Sequence, residues 1–149
     1  MKIPMFSDAF QSVMRNGSKL SSSFENYTIT SAHILAGTLE LEGNTASEGL
    51  LATATNKANF LKAVYDSANM NGKIPSKVKV PTGSIVLTNE AEKVVMSAQE
   101  LGKKSPNGKV EIRHLINAML LDKKCIANSI LINNLDIAKV KSELSNWID

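Results

Sequence analysis

A chain of 149 residues with 43% apolar and 21% charged side chains can bury roughly two thirds of its unfolded surface, as one compact domain or two small lobes sharing a core, which excludes a disordered or fibrous polymer. The single cysteine, Cys125, excludes an internal disulfide and fits a reducing compartment. The net charge of +3 arises in residues 76–149, with eleven basic and eight acidic side chains, whereas residues 1–75 hold six of each. Lys103–Lys104 and Lys123–Lys124 are pairs rather than a stripe, and the few aromatics are not interleaved with them, so nucleic acid is not an expected partner.

MKIPMFSDAF at the amino terminus has no apolar run of signal-peptide length, and no segment reaches the roughly 18 uncharged residues of a membrane span. The expectation is a soluble, cytoplasmic protein without membrane contact. In chain order, a first helix is predicted over about residues 8–20, with Ser7 as N-cap, Asp8 in the first turn, and Phe10, Val13, Met14 and Gly17 facing inward. Thr30 or Ser31 caps a second helix whose apolar stripe is Ile34, Leu35, Thr38, Leu39 and Leu41, stopped by Gly43 and Asn44. A short helix over about 46–53 and a longer one over about 56–69 follow, the latter carrying Phe60, Leu61, Val64 and Tyr65. Residues 71–86, with two prolines, two glycines and the alternating Val78 and Val80, read as an ordered linker. Four more helices are predicted over 88–103 (capped by Thr88), 111–122, 126–133 and 136–147 (capped by Asp136).

The second set of helices copies the first. At an offset of 81, Phe6 and Ser7 fall on Leu87 and Thr88, Val13 on Val94, Leu20 on Leu101, Ile29 on Val110, His33 on His114, Leu39 on Leu120 and Leu50 on Leu131. Later the offset slips by one, so Phe60 and Val64 match Val140 and Leu144. Four short amphipathic helices bury their apolar faces poorly alone. The expected architecture is all-α: two pseudo-twofold-related four-helix repeats, about 5–70 and 87–147, packed together within a single domain spanning 1–149.

FSDAFQSVM and LTNEAEKVVMSAQELG, followed by HILAGTL and HLINAML and then by ILINNLDIAKVKSEL, resemble the double Clp repeat at the amino terminus of Clp-type AAA+ unfoldases of the ClpA, ClpB and ClpC types. IPSKVKVPTGSIVLT resembles that family's inter-repeat linker. The resemblance implies a mobile, non-catalytic cap that captures protein substrates or adaptor proteins for a hexameric ATPase ring, the isolated domain being monomeric. No G-x-x-x-x-G-K-[ST] loop is present. Starting at Met1 and stopping just after the last predicted helix fits an excised domain better than the alternative, a free-standing double-repeat protein that regulates assembly of a Clp protease complex.

His33 and His114 open the second helix of each copy, where an imidazole can pack on apolar neighbours while one nitrogen finds a backbone carbonyl or a capping side chain. A metal site lacks converging ligands, and a hydrolytic triad lacks an activated nucleophile. No cofactor, metal or catalysis is expected. Cys125 reads as inert, although Lys123 and Lys124 are placed to lower its pKa. The ClpC branch recognises phosphoarginine through a capping hydroxyl, first-turn amides and a Glu immediately before the second-helix His. By resemblance, Ser7 and Thr88 supply the hydroxyls here, but Ala32 and Arg113 replace both acids, so that recognition is expected to be lost or much weakened. The remaining candidate protein-binding surface is a shallow apolar groove near Phe6, Ile85, Val86 and Leu87.

Overall fold

In a computed structural model, residues 5–23, 28–70 and 86–148 are described; Ile85 and nearly all of the expected linker lie outside this range. Eight helices are present among the described residues: α1 (Asp8–Ser23), α2 (Ser31–Leu39), α3 (Thr45–Thr53), α4 (Lys57–Met70), α5 (Asn89–Lys103), α6 (Ile112–Leu121), α7 (Ile126–Asn134) and α8 (Ile137–Glu143). The domain is all-helical, built from two repeats. Local chemistry sets several helix starts: Ser7 Oγ accepts from Phe10 N at 3.1 Å, Asn44 Oδ1 from Ala46 N and Ser47 N, and Asp136 Oδ1 from Lys139 N. The last helix is shorter than its sequence pattern suggests. It tightens into a 3-10 turn at Leu144–Asn146, after which Trp147 is buried.

Helix α2 is the hub. Every residue from Ser31 to Thr38 is buried, and α1, α3, α4, α5 and α7 all pack on it, as expected of a helix that is apolar on nearly all sides. Gly37 permits the closest of these approaches. A Cβ at Gly37 would stand 2.6 Å from the Val13 carbonyl oxygen and 2.9 Å from Gly17 N, and one at Gly17 would stand 3.2 Å from the His33 carbonyl oxygen. The second copy holds Ala98 and Ala118 at these positions, both fully buried.

The copies are joined through backbone exchanged between them. Four two-residue strands occur among the described residues: β1 (Met5–Phe6), β2 (Thr28–Ile29), β3 (Val86–Leu87) and β4 (Lys109–Val110). The parallel pairs are β1 with β4 and β2 with β3, in registers Met5↔Lys109 and Thr28↔Val86. Each first-copy strand thus pairs with a second-copy strand, and the offset of 81 maps one pair onto the other. The next hydrogen bonds obey the same mapping: Ser7 N donates to Val110 O at 2.9 Å, and Thr88 N to Ile29 O at 3.0 Å. On the far side, the isolated bridge Ala54↔Leu135 is flanked by Thr55 N to Asn134 O and Asp136 N to Thr53 O. Residues 54 and 135 are themselves related by the offset, so this bridge marks the pseudo-twofold axis.

Gly37→Ala is expected to destabilise the domain by about 1–3 kcal/mol, because backbone atoms rather than a flexible side chain occupy the space of the added methyl. The urea unfolding midpoint checks this; a midpoint equal to or above that of the parent protein would show that α1 and α2 can separate freely.

Candidate functional site

A polar cluster at the junction of the copies centres on Glu90, in the first turn of α5. Its Oε2 accepts from Ser31 N at 2.7 Å and from the Thr88 hydroxyl at 2.9 Å. Its Oε1 accepts from Ile126 N at 2.7 Å and from the Ser31 hydroxyl. Ser31 Oγ in turn accepts from Ala127 N at 2.9 Å. Ser31 and Ile126 are the first residues of α2 and α7, whose leading amides have no partner inside their own helices. One carboxylate therefore caps a helix in each copy, at a point where the ends of several dipoles favour negative charge.

This arrangement breaks the internal symmetry for a traceable reason. Asn44 caps α3 with its own side chain, whereas its counterpart at the start of α7 is Cys125, which makes no capping bond. Glu90 and Ser31 supply the missing acceptors from outside. The counterpart of Glu90 is Ala9, and beside it lies a hollow of about 370 Å³ lined by Ser7, Asp8, Ala9, Asn107, Lys109, Glu111 and Ile148. Sequence reasoning missed Glu90; the available signal was the paired exchange of Ala9 for Glu90 and Asn44 for Cys125.

Both histidines occupy the third helical position of a reciprocal cap. His33 Nδ1 accepts from Thr30 N at 3.0 Å while Thr30 Oγ1 accepts from His33 N, and His114 Nδ1 accepts from Glu111 N at 2.8 Å. Each Nδ1 accepts from a backbone N–H, which requires that nitrogen to be unprotonated, and His33 meets its expected partners as well, with the capping Thr30 hydroxyl 2.9 Å from Nδ1 and a hydrogen bond to the Ala68 backbone. Burial holds His33 below its ordinary value of 6.5, against smaller opposing effects of a hydrogen bond with the Ala68 backbone and the Glu90 charge. Burial pushes the Cys125 thiol up to about 11, so Lys123 and Lys124 do not activate it. Among the described residues no group of three or more His, Cys, Asp or Glu side chains is placed to hold a metal ion, and no helix is long and apolar enough to cross a membrane.

Two hollows flank α5, the first of them mainly apolar. One, of about 360 Å³, is lined by Phe6, Phe10, Gln11, Met14, Arg15 and Val95, with the Phe6 and Phe10 rings 4.8 Å apart. The other, of about 470 Å³, is lined by Lys93, Met96, Ser97, Leu121 and Asp122. The sequence-selected residues do not converge on either. Phe6 lines the first, whereas Leu87 is half-buried against the core and Val86 lies in β3. Ser7 is buried as the α1 cap, and Thr88 caps α5 while bonding Glu90. Ala32 is fully buried, and Arg113 Nη2 contacts Glu111 Oε1 at 3.4 Å.

The Clp repeat (R) N-terminal domain family matches residues 5–134 and 86–149. The chain belongs to that family. No curated protein matches its sequence, but solved structures share the fold of this Clp repeat domain at low identity. The N-terminal domain of Hsp104 from Candida albicans superposes with a TM-score of 0.70 at 21% identity, over 94% of this chain and 89% of that one. A chain from structural work on a malarial protein secretion system gives 0.72 at 17% identity, over 95% and 92%. One from a study of the ATPase ClpV, the TssB-TssC sheath and the accessory HsiE protein gives 0.69 at 12% identity, over 95% and 88%.

Two outcomes follow for the Clp repeat domain. Glu90→Ala strands the Ser31 and Ile126 amides and is expected to cost about 2–4 kcal/mol, more than Glu90→Gln, which keeps one acceptor oxygen; urea midpoints rank the two. His33 titrates lower in the folded chain than in the unfolded one, so the unfolded state takes up the proton first as the medium is acidified. Its contribution is fully present above about pH 6.5 and declines below that. The fall in melting temperature between about pH 7 and pH 5 should shrink in His33→Gln; an undiminished fall would assign the acid sensitivity to other groups.

Proposed function

We propose that this Clp repeat domain is a passive, cytoplasmic docking module that holds protein substrates or adaptor proteins for an AAA+ unfoldase ring, whose other domains hydrolyse ATP and thread the captured chain. The observation that carries this reading is the apolar hollow of about 360 Å³ at the meeting of α1 and α5, where Phe6, Phe10, Met14 and Val95 line a shallow surface. A shallow apolar surface bounded by Gln11 and Arg15 suits weak, sequence-tolerant engagement of unfolded segments better than selection of one small ligand. Modest affinity is sufficient, because tethering to a ring raises the local concentration of the captured chain. Family membership makes the ring context the natural one.

Val95 is half-buried on α5 and is the position of choice for a test. Val95→Glu is expected to weaken binding of a carboxymethylated, permanently unfolded protein by roughly fivefold or more, the loss of about 1 kcal/mol or more of apolar contact. Fluorescence anisotropy of the labelled unfolded protein reads the change, and circular dichroism confirms the fold. Binding that is equally tight in Val95→Glu would remove the hollow from the docking surface.

The same reading holds that phosphoarginine recognition is lost or much weakened. Ala32 offers no carboxylate to a guanidinium, and Arg113 brings a like charge to the matching position of the second copy. Calorimetry with free phosphoarginine is expected to show no micromolar binding; a micromolar isotherm would restore that specificity.

A further inference from the structure

The two copies differ sharply in chemistry where the second helix meets the last. In the first copy the relevant positions hold Ala32, Ala36, Leu61 and Tyr65, with both alanines fully buried and the Tyr65 hydroxyl donating to Glu40 Oε1 at 3.1 Å. The internal match places Arg113 on Ala32 and Asn117 on Ala36 and, after the one-residue slip, Lys141 on Leu61 and Ser145 on Tyr65. Two cations, a carboxamide and an aliphatic hydroxyl thus replace three apolar side chains and a phenol. Together with His114 and Leu144 they line a cavity of about 220 Å³ between α6 and the end of α8.

This cavity is rich in donors and contains no carboxylate in its lining. Arg113 is only 20% exposed, and one of its terminal nitrogens reaches Glu111. Its Nε is buried and meets no acceptor among the described residues. A guanidinium N–H in that position is costly unless an acceptor reaches it. Three backbone amides at the start of α6 are already engaged, Glu111 N with His114 Nδ1 and both His114 N and Leu115 N with Glu111 O.

We propose that this cavity is a phosphate-binding site of the second repeat, taking a phosphate monoester or inorganic phosphate. A guanidinium, an ammonium, a carboxamide and a hydroxyl together offer more donors than the two oxygens of a carboxylate can use, whereas the three terminal oxygens of a phosphate match them. Arg113 supplies the directional bond, and Lys141, exposed on α8, supplies mobile charge. The site is independent of the apolar hollow beside α1 and does not rest on the docking reading.

The test is a titration of the ¹⁵N-labelled domain with inorganic phosphate and, separately, with a phosphoserine peptide and its unphosphorylated form, at constant ionic strength. Saturable amide shifts are expected at residues 113–117 and 141–145. Lys141→Ala, an exposed substitution that spares the core, should weaken phosphate binding roughly tenfold, as expected for loss of one charge-assisted hydrogen bond. Arg113→Gln should do the same, with the spectrum of the unliganded variant confirming that it folds. A phosphopeptide that binds more tightly than inorganic phosphate, while its unphosphorylated form does not bind, assigns a phosphorylated partner segment as the source. Equal affinity of the phosphopeptide and inorganic phosphate assigns free phosphate. Absence of saturable shifts, shifts confined to residues 7–11, or unchanged binding by Lys141→Ala would each overturn the proposal.

Discussion

The domain depends on a mutual exchange of backbone between its two copies. The chain enters α1 with Ser7 N fixed on Val110 O, and enters α5 with Thr88 N fixed on Ile29 O. Neither copy can therefore orient its own first helix; each needs a carbonyl that the other presents. The strands on which this rests are two residues long, too short to persist alone, and they endure because packed helices follow on either side. Since α2 also packs on α5 and α7, the halves share one core, and unfolding of either half exposes the other.

Within that frame the copies have diverged by moving hydrogen-bond acceptors rather than by changing the fold. Asn44 caps its helix locally; Cys125 cannot, and the carboxylate of Glu90 reaches across to do so while also holding the start of α2. Thr30 and Glu111, related by the offset, both complete a reciprocal cap with a histidine, one with a hydroxyl and the other with a carboxylate. The repeated histidines thus serve to fix helix entry angles. The surface has diverged further, since one copy fills with alanine the ground on which the other sets Arg113 and Asn117.

Much of the helical architecture was legible in the sequence because it follows from short-range chemistry. Ser7, Thr30, Thr88 and Asp136 each sit one residue before a helix, and the offset of 81 exposes the duplication directly. The strands were not legible, since two residues carry no periodicity. Glu90 was hidden for a different reason: its partners Ser31 and Ile126 are 59 and 36 residues away, and no local pattern announces a cap supplied from another helix. The candidate surface was only partly legible. Phe6 lines an apolar hollow, but its companions Met14 and Val95 come from α1 and α5, and their meeting is a product of the pseudo-twofold packing rather than of sequence spacing. The early end of α8 reflects the same kind of tertiary demand, as the chain turns to bring Trp147 into the core.

That turn leaves the only tryptophan of the chain lying directly over Gly49 of α3, where a Cβ would stand 2.3 Å from the indole ring. The ring belongs to the last turn of the second copy, and its bed belongs to the first. The molecule thus carries a native optical gauge of whether its halves are seated: indole emission follows the parting of one copy from the other, even where each helix keeps its own hydrogen bonds.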